Sequence, residues 1–186
     1  MGRYPALETG RLCLRQFKMS DCRDVVRLAG DREIAANTLE IPHPYRYEMA
    51  AEWIGSHREN FNTGNGVIFA ITDLQNGSLI GAIGLVINSR DRKAELGYWI
   101  GKQYWCNGYA TEAAKAVVGY GFSELGLNRI FARHLSRNPA SGIVMQKLGM
   151  KHEGCLRGDV NKDGVFEDLE LYGLMKSDYE RLSSAS

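Results

Sequence analysis

The chain has 186 residues and a formal net charge of +1, with 23 Lys and Arg against 22 Asp and Glu. That balance leaves no global electrostatic footprint for nucleic acid or an anionic membrane. A hydrophobic share of 44% and a charged share of 24% are ordinary for a soluble globular chain, and the length suits one domain over residues 1–186 with its core at about 8–178.

In chain order, Leu12, Leu14 and Phe17 predict a short first strand after a turn at Gly10. Ser20-Asp21 signals the N-terminus of a helix running through Val25, Val26 and Leu28. Pro42, His43 and Pro44 force an extended loop. Ala51, Trp53, Ile54 and His57 fall near helical spacing and predict a helix over about 48–61, closed by a turn at 62–66. Residues 67–72 are β-rich, and Gln75-Asn76-Gly77 turns them into a partner strand over 79–88. A polar turn at 90–93 leads into a fourth strand over 94–100 and then a helix over about 110–125. A fifth strand follows at 129–135, and a further helix opens at Asn138-Pro139 and ends at Gly149. Two last strands, near 151–159 and 165–174, are joined through Asn161-Lys162-Asp163-Gly164. The succession is a mixed α/β domain.

The most informative stretch is residues 94–125. A strand there runs through a turn at Asn107-Gly108 directly into a helix. Gly108 has no side chain to keep a ligand away from the backbone. A helix starting at such a turn aims several unpaired N–H groups at one spot and favours an anion, phosphate above all.

These residues resemble the GNAT N-acetyltransferase superfamily. Residues 95–112 resemble its acetyl-CoA signature, NPASGIVMQKLG at 138–149 resembles its second CoA-contacting stretch, and EGCLRGDVNKDGVFEDLELYGL is similar to the ribosomal-protein N-terminal alanine and serine acetyltransferase subgroup. The resemblance implies one domain with a central mixed, mostly antiparallel sheet flanked by helices, the fourth and fifth strands splaying around the cofactor. The family's cofactor pattern Q/R-x-x-G-x-G/A falls on Trp105-Cys106-Asn107-Gly108-Tyr109-Ala110, with Trp105 in place of the polar residue. The same resemblance assigns the backbone of Tyr98 and Ile100 to the pantetheine arm, which adds like an extra strand. It places Asn138 and Ser141 near the pantetheine and thiol.

Acetyl transfer to an amine requires the amine to lose a proton, the thioester carbonyl to be polarised, the oxyanion to meet a donor, and the departing thiolate to be stabilised. A β-bulge in the fourth strand near 98–100 is the expected source of an unpaired donor N–H. Glu95 and Asp159 are both candidates for the base. The first lies on the cofactor strand, and the second sits close to the carboxylate proposed as base in serine-acetylating relatives. The position where many family members carry a tyrosine is Met145, which cannot donate a proton. Ser141 is therefore the candidate for the thiolate, against a plain capping role beside Pro139.

Several other features compete. Residues 159–170 read D-V-N-K-D-G-V-F-E-D-L-E and fill the fixed positions of a calcium-loop pattern. GCLRG is a poor preceding helix, and N-K-D-G serves equally as a hairpin turn, so no metal is expected. The four histidines show no paired-ligand spacing; His43 between prolines is a candidate for the acceptor cleft. Cys13, Cys22, Cys106 and Cys155 form no C-x-x-C pair and suggest a reducing compartment. The N-terminal stretch has no apolar signal segment, Ala6 does not fit a myristoylation site, and the glycine-broken apolar run at 79–87 is too short for a bilayer. The expectation is a cytoplasmic N-acetyltransferase that uses acetyl-CoA and releases CoA. Its acceptor would be a protein N-terminus, a small amine, an amino acid or an antibiotic. It would act by direct attack, as a monomer or homodimer, with neither nucleic acid nor membrane as partner. The alternative is a non-catalytic acyl-CoA-binding or calcium-binding regulatory module.

Overall fold

The computed structural model describes residues 3–184. Its strands are β1 (Leu7–Glu8), β2 (Leu12–Gln16), β3 (Gly66–Asp73), β4 (Leu79–Asn88), β5 (Lys93–Ile100), β6 (Arg129–Leu135), β7 (Lys151–Lys162) and β8 (Val165–Met175). Its helices are α1 (Cys22–Ala29), α2 (Arg32–Asn37), α3 (Tyr47–Asn62), α4 (Tyr109–Ser123), α5 (Pro139–Lys147) and α6 (Lys176–Ser184). Alternate residues of β3 and β4 feed two different cores. Val67, Phe69, Ile71, Ile83 and Leu85 pack with Val117, Val118 and Phe122 of α4. Ala70 and Ala82 pack on the other side with Val25 and Leu28 of α1 and Ile54 of α3. Both strands are therefore buried on both faces, which explains their nearly unbroken apolar composition. Burying a side chain such as Phe122 is worth on the order of 2–3 kcal/mol.

The eight strands form one sheet in the order β1-β2-β3-β4-β5-β6-β8-β7. Every neighbouring pair is antiparallel except β5 and β6. This parallel pair is short: Lys93, Ala94 and Glu95 meet Arg129, Ile130 and Phe131, and the strands then separate. On its other edge β5 stays paired to β4 from Asn88–Lys93 through Gly81–Ile100. The fourth and fifth predicted strands, β5 and β6 here, therefore splay as expected.

Four local expectations change. The register of β5 against β4 is regular, so the predicted bulge near 98–100 is absent; the irregularity lies at Ile71–Thr72 of β3. Asp21 precedes α1, but its carboxylate does not cap that helix. It accepts from both Arg15 guanidinium nitrogens and the Lys18 amide instead. Phe17 lies just past β2 in the second core. β1, α2 and α6 carry too little periodic signal to be read from sequence. The last turn does form as expected, with Asp163 at φ 53° and Gly164 at φ 88°.

Candidate active site

The splay exposes one edge of β5. The Gly101 amide donates to Ile80 O at 2.9 Å, which fixes the alternation of β5. Residues in step with Gly101 turn their polar groups towards β4, so Tyr98 and Ile100 turn theirs into the gap beside β6. The donor predicted from a bulge thus arises from strand divergence in a regular strand. The Trp105 indole donates to Ile100 O at 2.6 Å. It therefore leaves the Ile100 N–H, but not that carbonyl, for a ligand. Trp105 braces the end of β5 where the family pattern carries a polar side chain.

Beyond β5 the chain turns sharply into α4. Cys106 and Gly108 hold positive φ values of 61° and 79°. Only glycine takes such a φ without strain, and Gly108 stands at the N-cap. The first helical bond runs from the Glu112 amide to Gly108 O, so the amides of Tyr109, Ala110 and Thr111 precede the helical ladder. The Asn107 side-chain amide ties the turn to Tyr104 O and Trp105 O. Arg11 clamps it from outside by donating to Asn107 O at 3.1 Å, pairing with Glu112 and stacking on Tyr109 at 4.7 Å. Burial raises the Glu112 carboxyl's pKa, but hydrogen bonds from Thr9 and Arg11 outweigh it and hold the group below its usual value. Sequence reasoning missed Thr9, Arg11 and Glu112 as a unit, because about a hundred residues separate the partners.

Facing this turn across the gap is the start of α5. Asn138 caps the helix by accepting from the Ser141 amide at 3.4 Å. Its own amide donates to Ser141 Oγ at 3.2 Å and to Asn37 O at 3.1 Å. Capping thus falls to Asn138, and the Ser141 hydroxyl retains its proton to donate. The Tyr98 hydroxyl donates to Ser141 O at 3.4 Å. Burial pushes the Tyr98 pKa up to about 12, partly offset by that bond, so the phenol stays protonated at neutral pH. Met145 is buried and supplies no proton.

Two cavities meet here. One, of about 370 Å³, is lined by Tyr98, Ile100, Trp105, Cys106, Gly108, Tyr109, Ala110, Asn138 and Ser141 among others. The second, of about 350 Å³, lies between α3, the loop after α2 and the sheet, and includes Glu40, Tyr45, Trp53, Glu95, Gly97 and Arg133. Both include Asn37, Thr38, Tyr98, Trp99 and Ser141. Of the sequence-predicted cofactor residues, only Asn107 lies off the first cavity's lining, where it shapes the turn.

The two candidate bases separate. Glu95 faces the second cavity, but both its oxygens accept from Arg133, at 2.9 and 3.1 Å. Asp159 lines neither cavity; it sits where the β7 register breaks between Leu156 and Val160. His43 also lines neither, and is exposed with Nδ1 3.1 Å from Gly30 O. The calcium-like segment forms the β7–β8 hairpin, with strands where a helix–loop–helix would need helices. No three His, Cys, Asp or Glu side chains gather as a metal-ligand set among the described residues. Nor is any described helix long and apolar enough to cross a membrane.

A mixed sheet opened between two parallel strands, with a helix N-terminus at the mouth of the opening, is the arrangement that the acetyltransferase resemblance implied. The acetyltransferase (GNAT) domain family matches residues 11–151, and the chain belongs to it. It is 33% identical over 174 residues to the uncharacterized N-acetyltransferase YoaA of Bacillus subtilis (strain 168), covering 93% of this chain and 98% of that one. It is 34% identical to the putative ribosomal N-acetyltransferase YdaF of the same organism, over 73% of this chain and 72% of that one. A crystal structure of a probable acetyltransferase superposes with a TM-score of 0.84 at 27% identity, covering 93% and 98% of the two chains. The protein is an N-acetyltransferase, and the non-catalytic alternative gives way.

Proposed function

We propose that the protein moves an acetyl group from acetyl-CoA to a primary amine, a protein N-terminus or a small amine, by direct attack while both substrates are bound. The observation that carries this reading is the meeting of the two cavities at Tyr98 and Ser141. Acetyl-CoA supplies the activated acetyl group. The first cavity fits it, because unpaired amides at the start of α4 suit phosphates and the free edge of β5 suits an extended amide chain. Asn107, Gly108, Tyr109 and Ala110 would hold the phosphates, with Cys106 and Trp105 shaping the turn. The N–H groups of Tyr98 and Ile100 would align the arm, and one of them would meet charge developing on the carbonyl oxygen. Ser141, positioned by Asn138, would donate its proton to the departing sulfur.

Glu95 is the candidate base that reaches the second cavity. Its bidentate bond to Arg133 makes it a fixed part of the cavity floor, and the amine sheds its proton to water through the open mouth. Asp159 has no direct part. The test is thiol release from acetyl-CoA over a panel of amines. Ser141→Ala should lower kcat at least about tenfold while leaving acetyl-CoA affinity within a few-fold. Acetyl-CoA binding with no turnover on any amine refutes the reading. Glu95→Gln should leave the shape of the pH–rate profile unchanged, and loss of an acidic limb in that variant would restore Glu95 as the base.

A further inference from the structure

Two carboxylates and one guanidinium, Glu40, Glu95 and Arg133, line the acceptor cavity, together with the buried imidazole of His134, whose Nδ1 lies 2.8 Å from Leu135 O. Glu95 and Arg133 satisfy each other. Glu40 is different. It is exposed and has no hydrogen bond or close ion pair among the described residues, acting on Arg133 only through space. It sits on the loop after α2, which donors from across the gap hold over the two cavities. Arg137 Nη2 donates to Ala36 O at 2.8 Å, Asn138 Nδ2 to Asn37 O at 3.1 Å, and Lys162 Nζ to Ile41 O at 3.4 Å. Arg137 is itself tied to Glu167 of β8 at 3.0 Å. An unpaired carboxylate is thus presented at a cavity by a loop anchored on both flanks. The walls around it are apolar and aromatic, through Leu39, Ile41, Tyr45, Trp53 and Val86.

We infer that Glu40 is the specificity-determining residue of the acceptor site, drawing in a positively charged primary amine on an apolar or aromatic body and disfavouring amines that carry a neighbouring carboxylate. The inference rests on the acetyltransferase reading of the same cavity. The charge pattern supports it: once Glu95 and Arg133 cancel, Glu40 is the carboxylate on the lining left without a counter-charge among the described residues. An ammonium gains from that field, and a carboxylate beside the amine is repelled by it. Gly97 adds the room, since a Cβ there would meet nothing within 4 Å.

The probes are phenethylamine and phenylalanine, which share a body and differ by one carboxylate. Wild-type protein should show kcat/KM for phenethylamine at least about tenfold above that for phenylalanine. Glu40→Gln should lower the phenethylamine value about tenfold through KM, leave phenylalanine unchanged or improved, and leave the KM for acetyl-CoA unchanged. Glu40→Asp should recover part of the loss, which a merely structural role would not predict. An unchanged ratio in Glu40→Gln, or a variant that loses acetyl-CoA and amine binding together, overturns the inference while leaving the acetyltransferase reading intact. Absence of turnover by wild type on every amine tested would overturn both.

Discussion

Substituting His57 gives a test whose size follows from the structure. His57 lies on α3 at 2% exposure, between Phe17 at 5.4 Å and Trp53 at 4.4 Å, and neither ring nitrogen has a hydrogen-bond partner among the described residues. Burial lowers its pKa from 6.5 to about 4. The folded chain therefore holds this ring neutral where an unfolded chain would protonate it. Stability from this group is complete above pH 6.5 and falls as the pH drops towards 4, because the unfolded state takes up the proton first. At about 1.36 kcal/mol per pH unit the full loss is about 3.4 kcal/mol, of which about 2 kcal/mol has gone by pH 5. His57→Phe keeps a ring in the slot and removes the proton site. At pH 7.5 the variant should lie within about 1 kcal/mol of wild type, since relief of two desolvated nitrogens offsets repacking. Urea unfolding at pH 7.5 and pH 5 measures both proteins. Wild type should lose about 2 kcal/mol more than the variant between the two conditions. Equal losses would refute the reasoning. Trp53 lines the second cavity, so charging His57 also disturbs one of its walls.

Two further substitutions separate the cavities. Gly108→Val forces a branched side chain to φ 79° at the start of α4, which should destabilise the fold by about 1–3 kcal/mol and weaken acetyl-CoA binding by calorimetry more than amine KM. An unchanged acetyl-CoA affinity would remove the turn from the binding site. Gly97→Leu fills open space over the acceptor side of β5, so it should raise amine KM several-fold with acetyl-CoA KM unchanged in steady-state kinetics. A matching rise in both constants would show that the two cavities are not separate in function.

Much of the architecture was legible because it is local. The β-rich composition of residues 67–72, the Asn-Gly turn at 76–77 that leads into 79–88 and the glycine before α4 each act through neighbouring residues, and each formed where expected. Asn138 before Pro139 is likewise a local helix start, so the helix after it could be placed from its own residues. Within the least readable segment, 33–53, residues 36–41 depend on distant partners: Arg137, Asn138 and Lys162, about a hundred positions further on, donate to Ala36 O, Asn37 O and Ile41 O.

The amino-acid order alone determined most of the strand-and-helix succession, the turn at Asn107-Gly108 and the helix start at Asn138-Pro139, since each depends on spacing within one or two turns of chain. Tertiary structure alone decided which carboxylate is free. Sequence offered Glu95 as the first candidate base and Asp159 as the second. Folding locks the first onto Arg133, leaves the second outside both cavities, and brings the unremarked Glu40 to the second cavity. An ionisable group takes its role from the charges around it, and in this chain those charges arrive from strands and loops far apart in sequence.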